Sequence, residues 1–271
     1  MQDTIGFWGC GNMAKAIMGG LIDRGGHSPQ QIYCISKSGA SARAFARQSG
    51  VLALGNSSEL IEKSGVLVLA FKPFQLDDLR PELGKIEDAL VLSLLAGKSL
   101  QILRSCCPKA RALIRTMPNT AGRIGKGTTA FCGEGEIPAE TRGTLLSILE
   151  PLGKTVEIDE KLMDVFTAVA SSGIGFAFEF MAALKEAGEK EGLSAEMSLQ
   201  LAKQTVYGAA SLAAESAEKP DALRDQVTSK GGTTQAGLEH LAAGGFRPLI
   251  HGAVEAAKAR SIELGAEGEM E

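Results

Sequence analysis

The chain has 271 residues, 44% of them hydrophobic and 22% charged, a composition that supports a globular fold with a sizeable core and, at about 100–200 residues per domain, two domains. Lys and Arg total 28 against 32 Asp and Glu, so the net charge is −4 and no basic stripe is present to neutralise a phosphate backbone, which argues against nucleic-acid binding. The longest apolar stretches, residues 66–71 and 89–96, fall short of the roughly 20 residues of a membrane span, and Met1 leads almost directly into a strand-like run, so neither a span nor a signal peptide is expected.

Five cysteines (Cys10, Cys34, Cys106, Cys107, Cys132) form an odd set without a C-x-x-C pair, and there are three histidines. A disulfide framework and a zinc site are both disfavoured, and Cys106-Cys107 reads as two small buried hydrophobes because neighbouring residues rarely reach disulfide geometry. No metal is expected, and the chain reads as a reduced, mildly acidic, cytoplasmic protein.

Up to about Asp159, short β-branched runs alternate with helix-like segments at βαβ spacing. The expected strands are residues 4–8, 31–36, 51–54, 66–71, 90–94, 111–115, 128–132 and 155–158. Runs such as Val66-Leu67-Val68-Leu69-Ala70 lack in/out alternation, as strands covered on both faces do, so residues 1–159 are expected to form a mostly parallel, doubly wound sheet.

The first strand enters Gly9-Cys10-Gly11-Asn12-Met13-Ala14 and then a helical run, which is G-x-G-x-x-A in the context a dinucleotide needs. Gly9 permits the tight turn, Gly11 lets a pyrophosphate approach the backbone, Ala14 allows close helix packing, and the helix start offers free N–H groups from Asn12 and Met13. This makes the fold α/β of Rossmann type. The second strand ends in Ile35-Ser36-Lys37-Ser38, with no carboxylate for a ribose 2′-hydroxyl; Ser36 and Lys37 favour the 2′-phosphate of NADP, with NAD as the alternative. Asn56 is a turn residue or a ribose contact, and Lys72 of Ala70-Phe71-Lys72-Pro73 reaches the nicotinamide half or caps the sheet; spacing leaves both open.

After Asp159 the strand signal stops and helical spacing takes over, as in Leu162, Val165, Phe166 and Val169. Gly192, Pro220-Asp221, Gly244-Gly245 and Pro248 punctuate four to five helices in residues 160–271. So small a helical set, apolar on more than one face, is expected to complete its core with a second subunit. Residues 265–271 read as a frayed acidic tail.

Three segments are too polar and glycine-rich for a core: Met117-Pro118-Asn119-Thr120, Ser171-Ser172-Gly173 and Ser229-Lys230-Gly231-Gly232-Thr233-Thr234. The last opens a helix, so the amides of Gly231 to Thr234 are expected to receive a carboxylate. Together with Asp225-Gln226-Val227-Thr228 and the motifs above, these segments resemble the pyrroline-5-carboxylate reductase family along essentially the whole chain. The resemblance implies a Rossmann domain followed by an all-helical dimerisation domain, NADPH-dependent reduction of a cyclic imine to proline, and an active site completed across a homodimer, with higher oligomers in some members. It implies cofactor contacts at Asn56, Ala70, Lys72, Pro73 and Asn119, substrate contacts at Ser172, Gly173, Ser229, Gly231, Gly232, Thr233 and Thr234, and a catalytic role for Thr234. Three residues depart from the family pattern: Lys230 and Ala121 stand where proline is usual, and Ile174 alters the S-G-S-G-P-A-Y helix opening. They keep two alternatives in view, reduction of another cyclic imino acid and a non-catalytic NADP-binding sensor. The β-hydroxyacid dehydrogenases, which share the two-part layout, place a catalytic Lys and Asn where residues 165–184 contain neither.

Overall fold

A computed structural model describes residues 4–266. Its first part is an eight-stranded sheet: β1 (Ile5–Trp8), α1 (Asn12–Asp23), β2 (Ile32–Ile35), α2 (Ala40–Ser49), β3 (Leu52–Ala53), α3 (Ser57–Lys63), β4 (Val66–Leu69), α4 (Leu76–Leu83), β5 (Leu90–Ser93), α5 (Leu100–Cys106), β6 (Ala112–Met117), β7 (Gly127–Gly133), α6 (Ala139–Leu149) and β8 (Gly153–Glu157). All eight expected strands are present, with ends displaced by at most two residues.

The order is β3-β2-β1-β4-β5-β6-β7-β8, parallel except between β6 and β7. Every residue of β4 is buried, because successive side chains feed opposite faces: Val66 and Val68 join Ile5, Phe7, Ile17 and Leu21, while Leu67 and Leu69 join Leu60, Leu83 and Leu103. The sheet reverses direction of growth between β1 and β4, where Trp8 pairs with both Ile35 and Leu69. The carboxyl ends of these strands therefore meet at the switch point where doubly wound sheets bind ligands.

The helical part comprises α7 (Met163–Phe166), a π-helical turn (Thr167–Ser172), α8 (Gly173–Lys190), α9 (Ala195–Glu215), α10 (Pro220–Gln226), α11 (Thr233–Ala243) and α12 (Phe246–Ala266). Ser194 caps α9 by accepting from the Met197 N–H, and Gly192 (φ +98) and Gly245 (φ +72) take the left-handed conformations that end α8 and α11. The chain forms two compact units: one runs through Ser171 and includes the residues from Ala257 on, the other is Ser172–Ala256. The second unit alone has almost no interior. Among the described residues its buried side chains are Ser198 and Ala202, while Phe178, Tyr207, Leu212 and Leu249 are all more than 60% exposed.

Two points adjust these expectations. The helical run Glu160–Lys190 contains an 18-residue stretch of mean hydropathy 1.5, 6% of it buried, which is apolar enough to cross a membrane by length and composition alone, a test that core helices of soluble proteins also pass. Ser171, Ser172, Gly173 and Glu179 interrupt its apolar residues, so a search for unbroken apolar stretches passes over it. The expected fray at Gly265 is also absent: Gly265 lies in α12, and a Cβ built on Gly97 would fall 2.5 Å from its Cα. The remainder of that tail, from residue 267 on, lies outside the described residues.

Candidate active site

The glycine-rich turn is shaped by two different demands. Gly9 has φ +116, and a Cβ there would lie 2.4 Å from the Ala70 carbonyl oxygen, so the end of β4 itself excludes any side chain. Around Gly11 a Cβ would meet nothing within 4 Å: the backbone is bare toward open space, the surface a pyrophosphate requires. Lys15 N–H bonds the Gly11 carbonyl (3.0 Å), which leaves the N–H groups of Asn12, Met13 and Ala14 ahead of the helical ladder at its positive end. Met13 turns its side chain onto the core, so what it offers a ligand is its backbone.

Seven of the expected cofactor residues, Gly9, Gly11, Ser36, Lys37, Asn56, Ala70 and Lys72, line one cleft of ≈ 560 Å³ at the switch point. Asn56 is the N-cap of α3, its Oδ1 accepting from the Glu59 N–H (2.9 Å), which satisfies the turn role and leaves its amide nitrogen at the cleft. Lys72 N–H donates to Gln75 Oε1 (3.0 Å), which fixes the backbone as Pro73 opens a short 3-10 turn (Pro73–Gln75). Pro73 bends the chain there and does not line the cleft. Ser36 Oγ accepts from the Ala42 N–H (3.2 Å) and keeps its proton for a ligand; exposed Lys37 has no ion-pair partner among the described residues. No carboxylate stands at the end of β2, and Asp23 belongs to α1, so these residues fit a 2′-phosphate.

Ser57, in the lining of this cleft, and Ser41 and Arg43, on the neighbouring α2, belong to no motif that marks them. Ser41 donates to the Cys10 carbonyl (2.7 Å) and ties the glycine-rich turn to α2. Arg43 lays its guanidinium along the β2–α2 turn, donating to the Ser38 carbonyl (3.4 Å), and adds a second cation there. Ser57 donates to Glu82 across the cleft wall. The Cys34 thiol beside it holds Cys10 below the ordinary thiol range, and the same contact raises Cys34. All five cysteines are free and buried, and burial pushes Cys107 up to about 12.

Asn119 lies outside the cleft lining and is buried, its amide bonded within the first unit. The turn after it, Thr120–Ile124, has Ala121 in the proline position and is braced by Arg24, which donates to the carbonyls of Pro151 (2.7 Å) and Gly122 (3.1 Å).

In the second unit the loop before α11 is a type II turn: Gly232 N–H bonds the Ser229 carbonyl (3.0 Å), Lys230 holds the second position and Gly231 the third at φ +73. Proline suits that second position, but any L residue adopts it, so Lys230 preserves the turn. A Cβ at Gly232 would lie 2.4 Å from Ser229 Oγ, so a larger residue there would turn the serine hydroxyl aside. Of the four amides expected to receive a carboxylate, Gly231 N–H is engaged by Gln235 Oε1 (2.7 Å) and Gly232 N–H by Ser229. Those of Thr233 and Thr234, in the first turn of α11, have no intrahelical acceptor, and both threonines are exposed. Ser172 and Gly173, at the junction of the π turn and α8, are half-buried. His240 is exposed, His251 faces Glu255 at 3.8 Å, and the His27 ring is buried with neither nitrogen hydrogen-bonded, so none stands with the residues above.

A doubly wound sheet whose switch-point cleft has a bare glycine turn and cationic β2 end, followed by a helical set, defines a dinucleotide-dependent oxidoreductase. The family model described as pyrroline-5-carboxylate reductase dimerisation matches residues 160–264, and that described as NADP oxidoreductase coenzyme F420-dependent matches residues 4–97. Pyrroline-5-carboxylate reductase of Synechocystis sp. is 38% identical over 266 residues, 98% of this chain and 99% of that protein, and the Pisum sativum enzyme is 36% identical over 265 residues, 96% of each. The Coxiella burnetii reductase structure superposes with a TM-score of 0.88 at 32% identity, covering 97% of this chain and 99% of that one. The Plasmodium falciparum structure, with NADP bound, gives 0.85 at 26%, covering 98% and 99%. The chain belongs to the pyrroline-5-carboxylate reductase family. The apolar run Glu160–Lys190 thus falls within the dimerisation match, and on α8 it carries a Lys185–Glu189 ion pair (3.0 Å).

Proposed function

We propose that this protein reduces 1-pyrroline-5-carboxylate to L-proline with NADPH, as a cytoplasmic homodimer or multiple of dimers whose helical part, from about residue 160, is shared between subunits. The observation that carries the reading is the Ser229–Thr234 turn, which presents two free amides and two hydroxyls at the start of an 11-residue helix in a chain of this family. The carboxylate of the cyclic imine is received by the N–H groups of Thr233 and Thr234, where the helix dipole also favours negative charge. Thr234 Oγ1 orients the ring nitrogen by a hydrogen bond, while Ser172 and Gly173 bound the ring. In the first unit the bare backbone of Gly11 to Met13 holds the pyrophosphate, Ser36 and Lys37 the 2′-phosphate, and Asn56 and Lys72 the remainder of the coenzyme. The reduced nicotinamide supplies the hydride for the C=N carbon. A threonine hydroxyl is a weak acid, so the imine is bound already protonated and the protein's contribution is orientation.

The test is NADPH oxidation by the purified protein with 1-pyrroline-5-carboxylate, run beside the six-membered homologue and beside NADH. Turnover selective for the five-membered ring is expected. Selectivity for the six-membered ring would move the substrate to that acid, and NADPH binding without turnover on either would leave a sensor. Thr234→Val is expected to lower turnover about tenfold or more with NADPH affinity unchanged, the signature of a lost orienting contact; equal turnover would remove Thr234 from the mechanism.

A further inference from the structure

Asn119 follows β6 and is buried, and both ends of its amide are used. Nδ2 donates to the Ala170 carbonyl at 2.9 Å, and Oδ1 accepts from the Thr128 N–H at 3.4 Å. On β7, a Cβ added to Gly127 would lie 2.9 Å from that Oδ1, so the strand is bare where the amide sits. Ala170 belongs to the π turn Thr167–Ser172. Such turns are rare, occur mostly as single-turn insertions in α-helices and are frequent at functional sites. Two further bonds hold this one: Thr167 Oγ1 donates back to the Met163 carbonyl (2.8 Å), a contact that bends helices, and Ser171 Oγ donates to the Pro118 carbonyl (3.5 Å). The Met117-Pro118-Asn119 run therefore grips the π turn at two successive residues, immediately before Ser172 and Gly173.

We infer that Asn119 is a positioning residue, an amide peg that holds the π turn through the Ala170 carbonyl and thereby sets Ser172 and Gly173 for the imine, and that it does not contact the dinucleotide. The inference rests on the reductase reading for what Ser172 and Gly173 bind. Asparagine suits the task because one planar group supplies a donor to Ala170 and an acceptor to Thr128. Aspartate supplies acceptors alone.

Asn119→Asp keeps the size and the acceptor and turns a carboxylate oxygen toward the Ala170 carbonyl. In the full assembled protein three quantities are read: the NADPH dissociation constant, titrated without imine; kcat and KM for 1-pyrroline-5-carboxylate; and amide hydrogen exchange over residues 167–176 compared with 9–14. The expected result is an NADPH constant within about twofold of the parent, an imine KM raised about tenfold with a smaller fall in kcat, and faster exchange confined to 167–176. A raised NADPH constant with unchanged imine KM overturns the inference, since Asn119 would then touch the coenzyme. Unchanged exchange at 167–176 overturns it as well. Asn119→Ser, which retains a shorter donor and acceptor, carries the same expectations should Asn119→Asp fail to fold. If the parent protein does not reduce the imine, the reductase reading fails, and the exchange and NADPH measurements still decide whether Asn119 holds the turn.

Discussion

The sheet unit and the helical unit of this chain bury apolar side chains in opposite ways. In the first, β1, β4 and β5 are buried along their whole length, and Phe7, Ile17 and Leu21 are sealed between sheet and helices. In the second, helices of 18 and 21 residues leave Phe178, Tyr207 and Leu212 in the open. Apolar area removed from water is worth about 25 cal/mol per Å², and large contiguous apolar patches on a soluble chain mark an interface. The difference teaches that the first unit closes its own core, whereas the second leaves its apolar faces open for an interface, in agreement with the dimerisation match over residues 160–264.

The sharpest break between the two comes from one substitution in each. Phe7→Ala removes a fully buried ring and is expected to cost about 3–5 kcal/mol in a denaturant melt, without changing which oligomer the folded fraction forms. Phe178→Glu, at 63% exposure, is expected to leave the fold of a single chain nearly intact and to dissociate the assembly in sedimentation. An unchanged sedimentation coefficient would show that this face is not the interface. A control, Phe74→Glu in the sheet unit, exchanges a ring that is 80% exposed and is expected to change neither.

Next in size is the turn at the cofactor cleft. Gly9→Ala combines a positive φ with a backbone overlap and is expected to cost about 1–3 kcal/mol from strain alone and to abolish NADPH binding, with the assembly preserved. NADPH retained at parental affinity would mean that the turn can rearrange. A smaller effect of opposite sign belongs to the helical unit: Lys230→Pro at the second position of the type II turn is expected to stabilise by about 0.4–1 kcal/mol by restricting the unfolded chain. Lys230 N–H makes no hydrogen bond among the described residues, so proline removes none; a lower melting temperature would contradict the turn assignment.

The sheet unit also carries a pH slope. Burial raises Cys107 to about 12, while an unfolded thiol titrates near 8.5, so the unfolded chain loses this proton first. Stability is then intact below about pH 8.5 and falls as pH rises toward 12. Cys107→Ala is expected to flatten that alkaline decline in denaturant midpoints taken between pH 8 and 10.5, and an unaltered slope would assign it to other groups.

The strands were legible because parallel strands covered on both faces must be continuously apolar, and the glycine-rich turn because its geometry is local to six residues. The N-cap role of Asn56 is also written locally, in the capping pattern Asn56-Ser57-Ser58-Glu59. Asn119 was not legible: its partner Ala170 is 51 residues away, and nothing in Met117-Pro118-Asn119-Thr120 distinguishes an amide that faces a coenzyme from one that faces a helix. The engagement of Gly231 by Gln235 is likewise a side-chain choice that composition does not announce.

Taken alone, the sequence determined the order of strands and helices, the place of the dinucleotide turn and the family, since each depends on residue types at short, fixed spacing. Tertiary structure decided which amides at the start of α11 remain free, that Arg24 supports the turn where proline is missing, and that the π turn is held from the segment after β6. Those outcomes depend on hydrogen-bond partners far apart in the chain, which only folding brings within about 3 Å of one another.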